Sequence, residues 1–265
     1  MLKIPFVKYQ GAGNDFIMID DRTGLYGPLM NEHWIARACD RRFGIGADGL
    51  ILIQQGGEGV DFFMKYYNAD GRTSTFCGNG GRCVFSFASR LGIHHGQSKF
   101  LGTDGMHEAR FTSDGNICLS MTDVMDIKQI DHNTYELYTG SPHLVMFVDD
   151  LEGLNVAEQG RSIRISPPYN EHGINVNFVV SGSLDEIFIR TYERGVEDET
   201  LACGTGVVAA AIANSVRHMS NTGETTVHAR GGDLKVQFAR SRENVFTNVR
   251  LTGPATEVFS GEIEL

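Results

Sequence analysis

The chain repeats itself at half length. Pairing each residue with the one 126 positions later places Tyr66 on Tyr192, Cys77 on Cys203, Gly78 on Gly204, Gly80 on Gly206 and Gly105 on Gly231. In both copies the order is strand, polar loop, Cys-Gly-x-Gly, helix, strands, and away from these positions the register drifts as insertions would cause. A repeat of this kind specifies two domains of one topology, and 265 residues suffice for two modest cores. The boundary is placed near residue 120. The first domain covers 1–120 and carries Cys77, and the second covers 121–253 and carries Cys203. The last strand, 254–265, follows Gly253-Pro254 and is expected to return to the first domain.

Strand-like alternation dominates both halves, as near 3–9, 15–20, 50–54, 60–67, 107–112, 143–149, 175–181, 186–193, 233–239 and 256–264. Helices are fewer. Asn31 can cap a helix over 32–42 in which Ile35, Ala38 and Cys39 share a face. Others are expected over 79–91, over a short stretch near 155–161, and over 204–217, whose Val-Val-Ala-Ala-Ala-Ile-Ala run suits a buried helix. Many strands, few helices and no regular βα alternation point to an α+β fold with mainly antiparallel sheet.

Composition narrows the function classes. Asp and Glu number 33 against 23 Lys and Arg, so the net charge of -10 disfavours phosphate backbones and hence nucleic-acid partners. No apolar run approaches the roughly 20 residues that span a bilayer. The opening Met-Leu-Lys-Ile-Pro-Phe-Val-Lys-Tyr-Gln reads as a strand and not as a signal peptide. A soluble cytoplasmic protein without a membrane partner is expected. Five cysteines, an odd number, argue for reduced thiols over a disulfide framework. The 32 glycines exceed the usual share of about 7%, and with only 6 prolines they are assigned to tight turns and close backbone approaches.

The chemistry centres on Cys77-Gly78-Asn79-Gly80 and Cys203-Gly204-Thr205-Gly206. Each Cys falls at the predicted start of a helix, where free N–H groups carry partial positive charge and favour thiolate over thiol. The neighbouring glycines let an anion approach those N–H groups. One such cysteine alone reads as a small core residue, but that reading does not explain why both copies retain the glycines. Cys39, Cys83 and Cys118 are read as structural, His94-His95 as a solvated loop pair, and no spacing suits a metal site. Gly44-Ile45-Gly46-Ala47-Asp48-Gly49 matches a dinucleotide fingerprint, but a helix precedes it and a strand follows, the reverse of the required order. None of the six lysines sits in a glycine cradle for pyridoxal chemistry, so no cofactor is expected. If the two helix starts face one cleft, a small carboxylate held there has its α-carbon between two sulfurs. One sulfur can remove the α-proton as thiolate while the other delivers a proton to the opposite face as thiol. Helix N–H donors stabilise the charge that grows on the carboxylate.

At these residues the sequence resembles the diaminopimelate epimerases, racemases and epimerases that work without pyridoxal phosphate. The resemblance runs from Gly11-Ala12-Gly13-Asn14-Asp15-Phe16 through Gly44–Gly49 and Tyr67-Asn68-Ala69-Asp70-Gly71. It continues through Cys77-Gly78-Asn79-Gly80-Gly81-Arg82-Cys83, Pro142-His143, Asn175-Val176-Asn177-Phe178 and Tyr192-Glu193-Arg194-Gly195. It closes on Glu199-Thr200-Leu201-Ala202-Cys203-Gly204-Thr205-Gly206. It implies an α+β fold of two pseudo-symmetric domains, each wrapped around a central helix, with the active site in the cleft between them. It also implies a homodimer that interconverts LL- and meso-diaminopimelate on the way to lysine. By the same resemblance Cys77 and Cys203 are the acid–base pair. Asn14, Asn68, Asn175, Glu193 and Arg194 bind the amino-acid substrate, Gly78-Asn79 and Gly204-Thr205 hold its reacting carboxylate, and His143 supports the thiols. Ser141 stands where the family commonly has Asn, Gly49 where some members carry Gln, and Thr205 where Ser is frequent.

Plainer readings stay open for the binding residues. Asn14, Asn68 and Asp70-Gly71 fit turns, Arg194 could pair with Glu193 or Glu197, and His143 could be a structural strand residue. A racemase of proline or hydroxyproline would carry the same two cysteines. A carboxylate-binding relative without catalysis would show slow alkylation of its thiols and no exchange of the substrate α-hydrogen.

Overall fold

The computed structural model describes residues 2–74, 76–220, 222–242 and 244–264. Met1 and Leu265, the outer ends of the expected first domain and last strand, lie outside the described residues. In chain order the elements are β1 (Lys3–Gly11), β2 (Asn14–Asp20), α1 (Glu32–Cys39), β3 (Gly49–Gln55), β4 (Phe62–Asn68), α2 (Gly78–Arg90), β5 (Gln97–Gly102), β6 (Gly105–Phe111) and β7 (Ile117–Ser120). There follow β8 (Ile127–Gln129), β9 (Thr134–Tyr138), β10 (Pro142–Phe147), α3 (Val156–Arg164), β11 (Asn175–Ser181), β12 (Glu186–Glu193) and β13 (Asp198–Thr200). The chain closes with α4 (Gly204–Arg217), β14 (Thr222–Ala229), β15 (Gly232–Arg242), β16 (Val245–Gly253) and β17 (Thr256–Glu264). It divides into two compact units, Met1–Leu119 with Pro254–Leu265, and Ser120–Gly253.

In the first unit β17 pairs antiparallel with β1 and β1 with β2, while β2 runs parallel to β3. β3 and β4 are antiparallel, β4 and β5 parallel, and β5, β6 and β7 antiparallel. In the second unit β8, β9 and β10 are antiparallel, β10 and β11 parallel, and β11 and β12 antiparallel. Next β12 runs parallel to β14, and β14, β15 and β16 are antiparallel. The sense of pairing is the same in both units from β2 and from β10 onward. The offset of the sequence repeat carries Gly49–Gln55 onto Asn175–Ser181, the full extent of β3 and β11, and the first residue of α2 onto that of α4. Parallel neighbours need a long crossover, and each of the parallel pairs just named has a helix in its crossover: α1, α2, α3 and α4 in turn.

The two buried helices are α2 and α4. Ten of the thirteen residues of α2 and eleven of the fourteen of α4 are buried. α2 packs on β1, β2 and β3, and α4 is surrounded by β9–β12 and β14–β16. α1 starts where Asn31 accepts a hydrogen bond from Trp34 N, but it stops at Cys39, three residues short of the predicted end. The Asp40 carboxylate turns the chain by accepting from Arg42 N at 2.7 Å and Phe43 N at 2.8 Å. α3 is capped by Asn155 and runs three residues beyond the predicted stretch. The three-residue strands β8 and β13 are too short for periodicity to reveal. His94 is a correction: it is not a solvated loop residue but buried, with its ring stacked on Phe85 at 4.2 Å and Nε2 2.9 Å from Phe85 O.

Candidate active site

The first unit places Cys77 at the N-cap of α2 and the second places Cys203 at the N-cap of α4. Neither cysteine makes a capping hydrogen bond, and neither helix has an acidic residue in its first turn. A helix N-terminus of this kind favours an anion.

In the first unit the Cys77 sulfur lies 3.5 Å from Asn14 Oδ1, and Asn79 Nδ2 donates to the same oxygen at 3.5 Å. An ionic network fixes that oxygen. Asn14 Nδ2 donates to Asp48 Oδ2 at 2.6 Å, which leaves the amide oxygen facing the sulfur. Arg41 bridges Asp48 and Asp15, at 2.7 and 2.8 Å from Nη2, and buried Lys8 sits 2.9 Å from Asp15. Burial alone would raise the Asp15 pKa, but hydrogen bonds from Arg41 and Lys8 outweigh it and hold the carboxyl at about 2. On the other side of Asn79, its Oδ1 accepts from Arg82 Nη2 at 2.8 Å. Arg82 is fully buried, and its further acceptors are the carbonyls of Pro254 and Gly78. Burial pulls its pKa down. A guanidinium held among neutral acceptors favours a thiolate nearby. Asn68 ends β4 in a turn, its N–H donating to Arg72 O at 3.0 Å and its carbonyl accepting from Gly71 N at 2.9 Å. Glycine is required at residue 71, whose φ is +89° and where a Cβ would lie 2.1 Å from Glu32 O.

In the second unit the buried Cys203 sulfur is 3.5 Å from Thr205 Oγ1. Thr205 Oγ1 is 2.9 Å from His143 Nε2, and its carbonyl accepts from Thr139 Oγ1 at 2.9 Å. His143, on β10, is fully buried, and burial followed by the charge of Arg194 lowers its pKa to about 3. It is therefore neutral at ordinary pH and meets Thr205 as a hydrogen-bonding group, not as a cation. Asn175 on β11 donates to Ser141 Oγ at 2.8 Å and Pro142 O at 3.0 Å, and accepts from Arg194 N at 2.9 Å. Ser141, Asn175 and Arg194 thus form one cluster. The Arg194 guanidinium donates to His172 O at 2.9 Å, Glu193 accepts from Thr200 Oγ1 at 2.9 Å, and Glu197 faces Arg164 at 3.5 Å.

Several contacts escape motif reading. Asp48, itself held by Arg41, orients Asn14 across 34 positions, and Asn177 touches His143 from β11. The signal for Asn177 is an amide flanked by Val176 and Phe178 in a buried stretch of strand. Among the described residues no three His, Cys, Asp or Glu side chains are grouped to hold a metal ion, and no helix is long and apolar enough to cross a membrane.

The fold recurs in solved structures. A phenazine biosynthesis protein of the PhzF family from Bacillus anthracis matches with a TM-score of 0.75 over 100% of both chains, at 14% identity. A probable proline racemase from Agrobacterium radiobacter matches with a TM-score of 0.69 over 99% of this chain and 93% of its own, also at 14% identity. In sequence the chain is 47% identical to a diaminopimelate epimerase of Flavobacterium psychrophilum, over 97% of this chain and 98% of the relative. It is 41% identical to that of Chlorobaculum tepidum, over 96% and 99%. The family model for diaminopimelate epimerase matches residues 6–125 and 135–258. With both cysteine blocks inside those spans, the chain belongs to the diaminopimelate epimerase family.

Proposed function

We propose that this chain interconverts LL- and meso-diaminopimelate in lysine biosynthesis by proton transfer at one α-carbon, with Cys77 and Cys203 as the acid–base pair. The observation that carries the mechanism is the duplication of one device, a cysteine at the N-cap of a buried helix. Inversion needs a base on one face of the carbon and an acid on the other. One sulfur takes the α-proton as thiolate, and the other gives its thiol proton to the opposite face. After one turnover the two protonation states are exchanged, ready for the reverse reaction. Backbone N–H groups at Gly78-Asn79 and Gly204-Thr205 take the reacting carboxylate and stabilise the charge that develops on it. Arg194, with Asn14, Asn68, Asn175 and Glu193, receives the distal amino-acid end, for which a guanidinium fork suits a carboxylate. His143 and Ser141 support this set. The two compact units serve as the two domains, and the enzyme acts as a cytoplasmic homodimer without a cofactor.

The test is α-hydrogen exchange in D2O. LL-diaminopimelate gains one deuterium as it epimerises, while proline, hydroxyproline and lysine gain none. Cys77→Ala and Cys203→Ala each abolish epimerisation. Normal turnover by either variant refutes the two-thiol mechanism, and exchange of proline in preference to diaminopimelate reassigns the substrate.

A further inference from the structure

The halves share one plan of strand pairing, but a polar chain of the second meets isoleucines at the matching places of the first. The repeat offset carries His143 onto Ile17 and Asn177 onto Ile51. Both isoleucines are fully buried core residues. In the second unit the same two places hold a histidine and an amide, both fully buried. Burying them is costly unless each polar atom is matched, and the match leaves one arrangement of hydrogens.

Asn177 Nδ2 is 3.0 Å from the carbonyl oxygen of Leu144, which can only accept, so the amide nitrogen faces that side. Its oxygen then faces Thr191 Oγ1, which donates at 3.0 Å. The second N–H of the amide points at His143 Nδ1, 3.1 Å away. Nδ1 must therefore offer its lone pair, and the single ring proton of the neutral imidazole sits on Nε2. Nε2–H donates to Thr205 Oγ1, so the hydroxyl hydrogen is turned away from the ring, and the sulfur of Cys203 lies 3.5 Å from that oxygen. The glycine at residue 206 belongs to the same arrangement, because a Cβ there would lie 2.3 Å from Asn177 Oδ1. In the first unit a Cβ on Gly80 would meet Ile51 Cδ1 at 3.0 Å.

We propose that Asn177 is a positioning residue: by fixing the tautomer of buried His143, it aims the Thr205 hydroxyl hydrogen at the Cys203 sulfur. The hydrogen bond stabilises Cys203 as thiolate. When Cys203 is protonated, the same hydroxyl hydrogen repels the S–H from that side and leaves it directed elsewhere. No proton travels along the chain, so the transfer itself remains between sulfur and carbon. The inference rests on the two-thiol mechanism proposed above.

The test combines a spectroscopic reading with a rescue. In protein labelled with 15N-histidine, the His143 signals, assigned by their loss in His143→Gln, report the Nε2–H tautomer between about pH 6 and 8. Asn177→Asp, which places a carboxylate against Nδ1, moves the proton to Nδ1. Thr205→Val slows deuterium exchange into the isomer that Cys203 deprotonates by roughly ten- to hundredfold, the worth of one hydrogen bond to a charged sulfur. Thr205→Ser restores it. An Nδ1–H tautomer in the unaltered enzyme, or equal rates for Thr205→Val and Thr205→Ser, overturns the proposal. Cys203→Ala separates the two levels. If it is inactive while Thr205→Val is fast, only the positioning role fails. If Cys203→Ala itself remains active, the two-thiol mechanism fails.

Discussion

Alanine at residue 206 and alanine at residue 80 are the same chemical change at repeat-related positions, yet their surroundings predict different costs. At Gly206 the new methyl would lie 2.3 Å from Asn177 Oδ1. Relief to an ordinary contact moves the amide by about 1 Å. The amide's bonds to His143 and Leu144 and from Thr191 measure 3.1, 3.0 and 3.0 Å. Such a movement stretches them to about 4 Å, beyond hydrogen-bond range. Leaving buried polar groups unmatched costs about 1–3 kcal/mol each, and these losses share one relaxation and do not sum. Alanine's better helix propensity returns about 1 kcal/mol, so Gly206→Ala is expected to destabilise by about 2 kcal/mol. At Gly80 the nearest atoms are Ile51 Cδ1 at 3.0 Å, Met64 Cε at 3.3 Å and Phe16 Cζ at 3.5 Å. The closest two are ends of flexible chains that can give way, so Gly80→Ala stays within about 1 kcal/mol of neutral. Thermal unfolding of both variants in one buffer should separate their midpoints by about 4 °C, with Gly206→Ala the lower. Equal midpoints, or the reverse order, refute the claim that the second glycine makes room for a buried amide.

Three further outcomes follow from named groups. His143 has an ordinary pKa of 6.5 and a folded value of about 3, so the unfolded chain binds a proton that the folded chain refuses. The corresponding stability is complete above pH 6.5 and falls as the pH drops toward 3, by about 1.4 kcal/mol per pH unit. Urea unfolding of His143→Gln should lose that slope, and a slope unchanged by the substitution counts against a neutral buried ring. Asp15→Asn leaves buried Lys8 without its carboxylate at 2.9 Å and should cost about 3 kcal/mol in urea unfolding. A loss below about 0.5 kcal/mol, the scale of an exposed pair, argues against the network. Burial drives the Cys39 pKa to about 12 and the Cys83 pKa higher than its ordinary value. Iodoacetamide mapped by peptide mass should therefore mark half-buried Cys77 in the native chain, and Cys39 and Cys83 only after unfolding.

Local signals in the chain gave the elements, because capping and periodicity act over a few residues. Asn31 announces α1, the two Cys-Gly-x-Gly blocks announce α2 and α4, and the repeat announces that one topology is used twice. The end of α1 was missed because Asp40 takes two N–H groups that a continuing helix would have used. His94 was misplaced because nothing in Ile-His-His-Gly foretells that Phe85 will cover its ring.

What the order of residues determined by itself is the pair of cysteine-headed helices and the duplicated strand plan around them, since both are written in neighbouring positions and in a fixed offset. Only the tertiary structure decided which polar groups meet. Asp48 turns the Asn14 amide toward one sulfur, and Asn177 reaches His143 from the neighbouring strand, giving the duplicated cysteines different company. The physical reason is that a hydrogen bond depends on direction within a few tenths of an ångström, and partners tens of residues apart acquire a direction only when the sheet between them is folded.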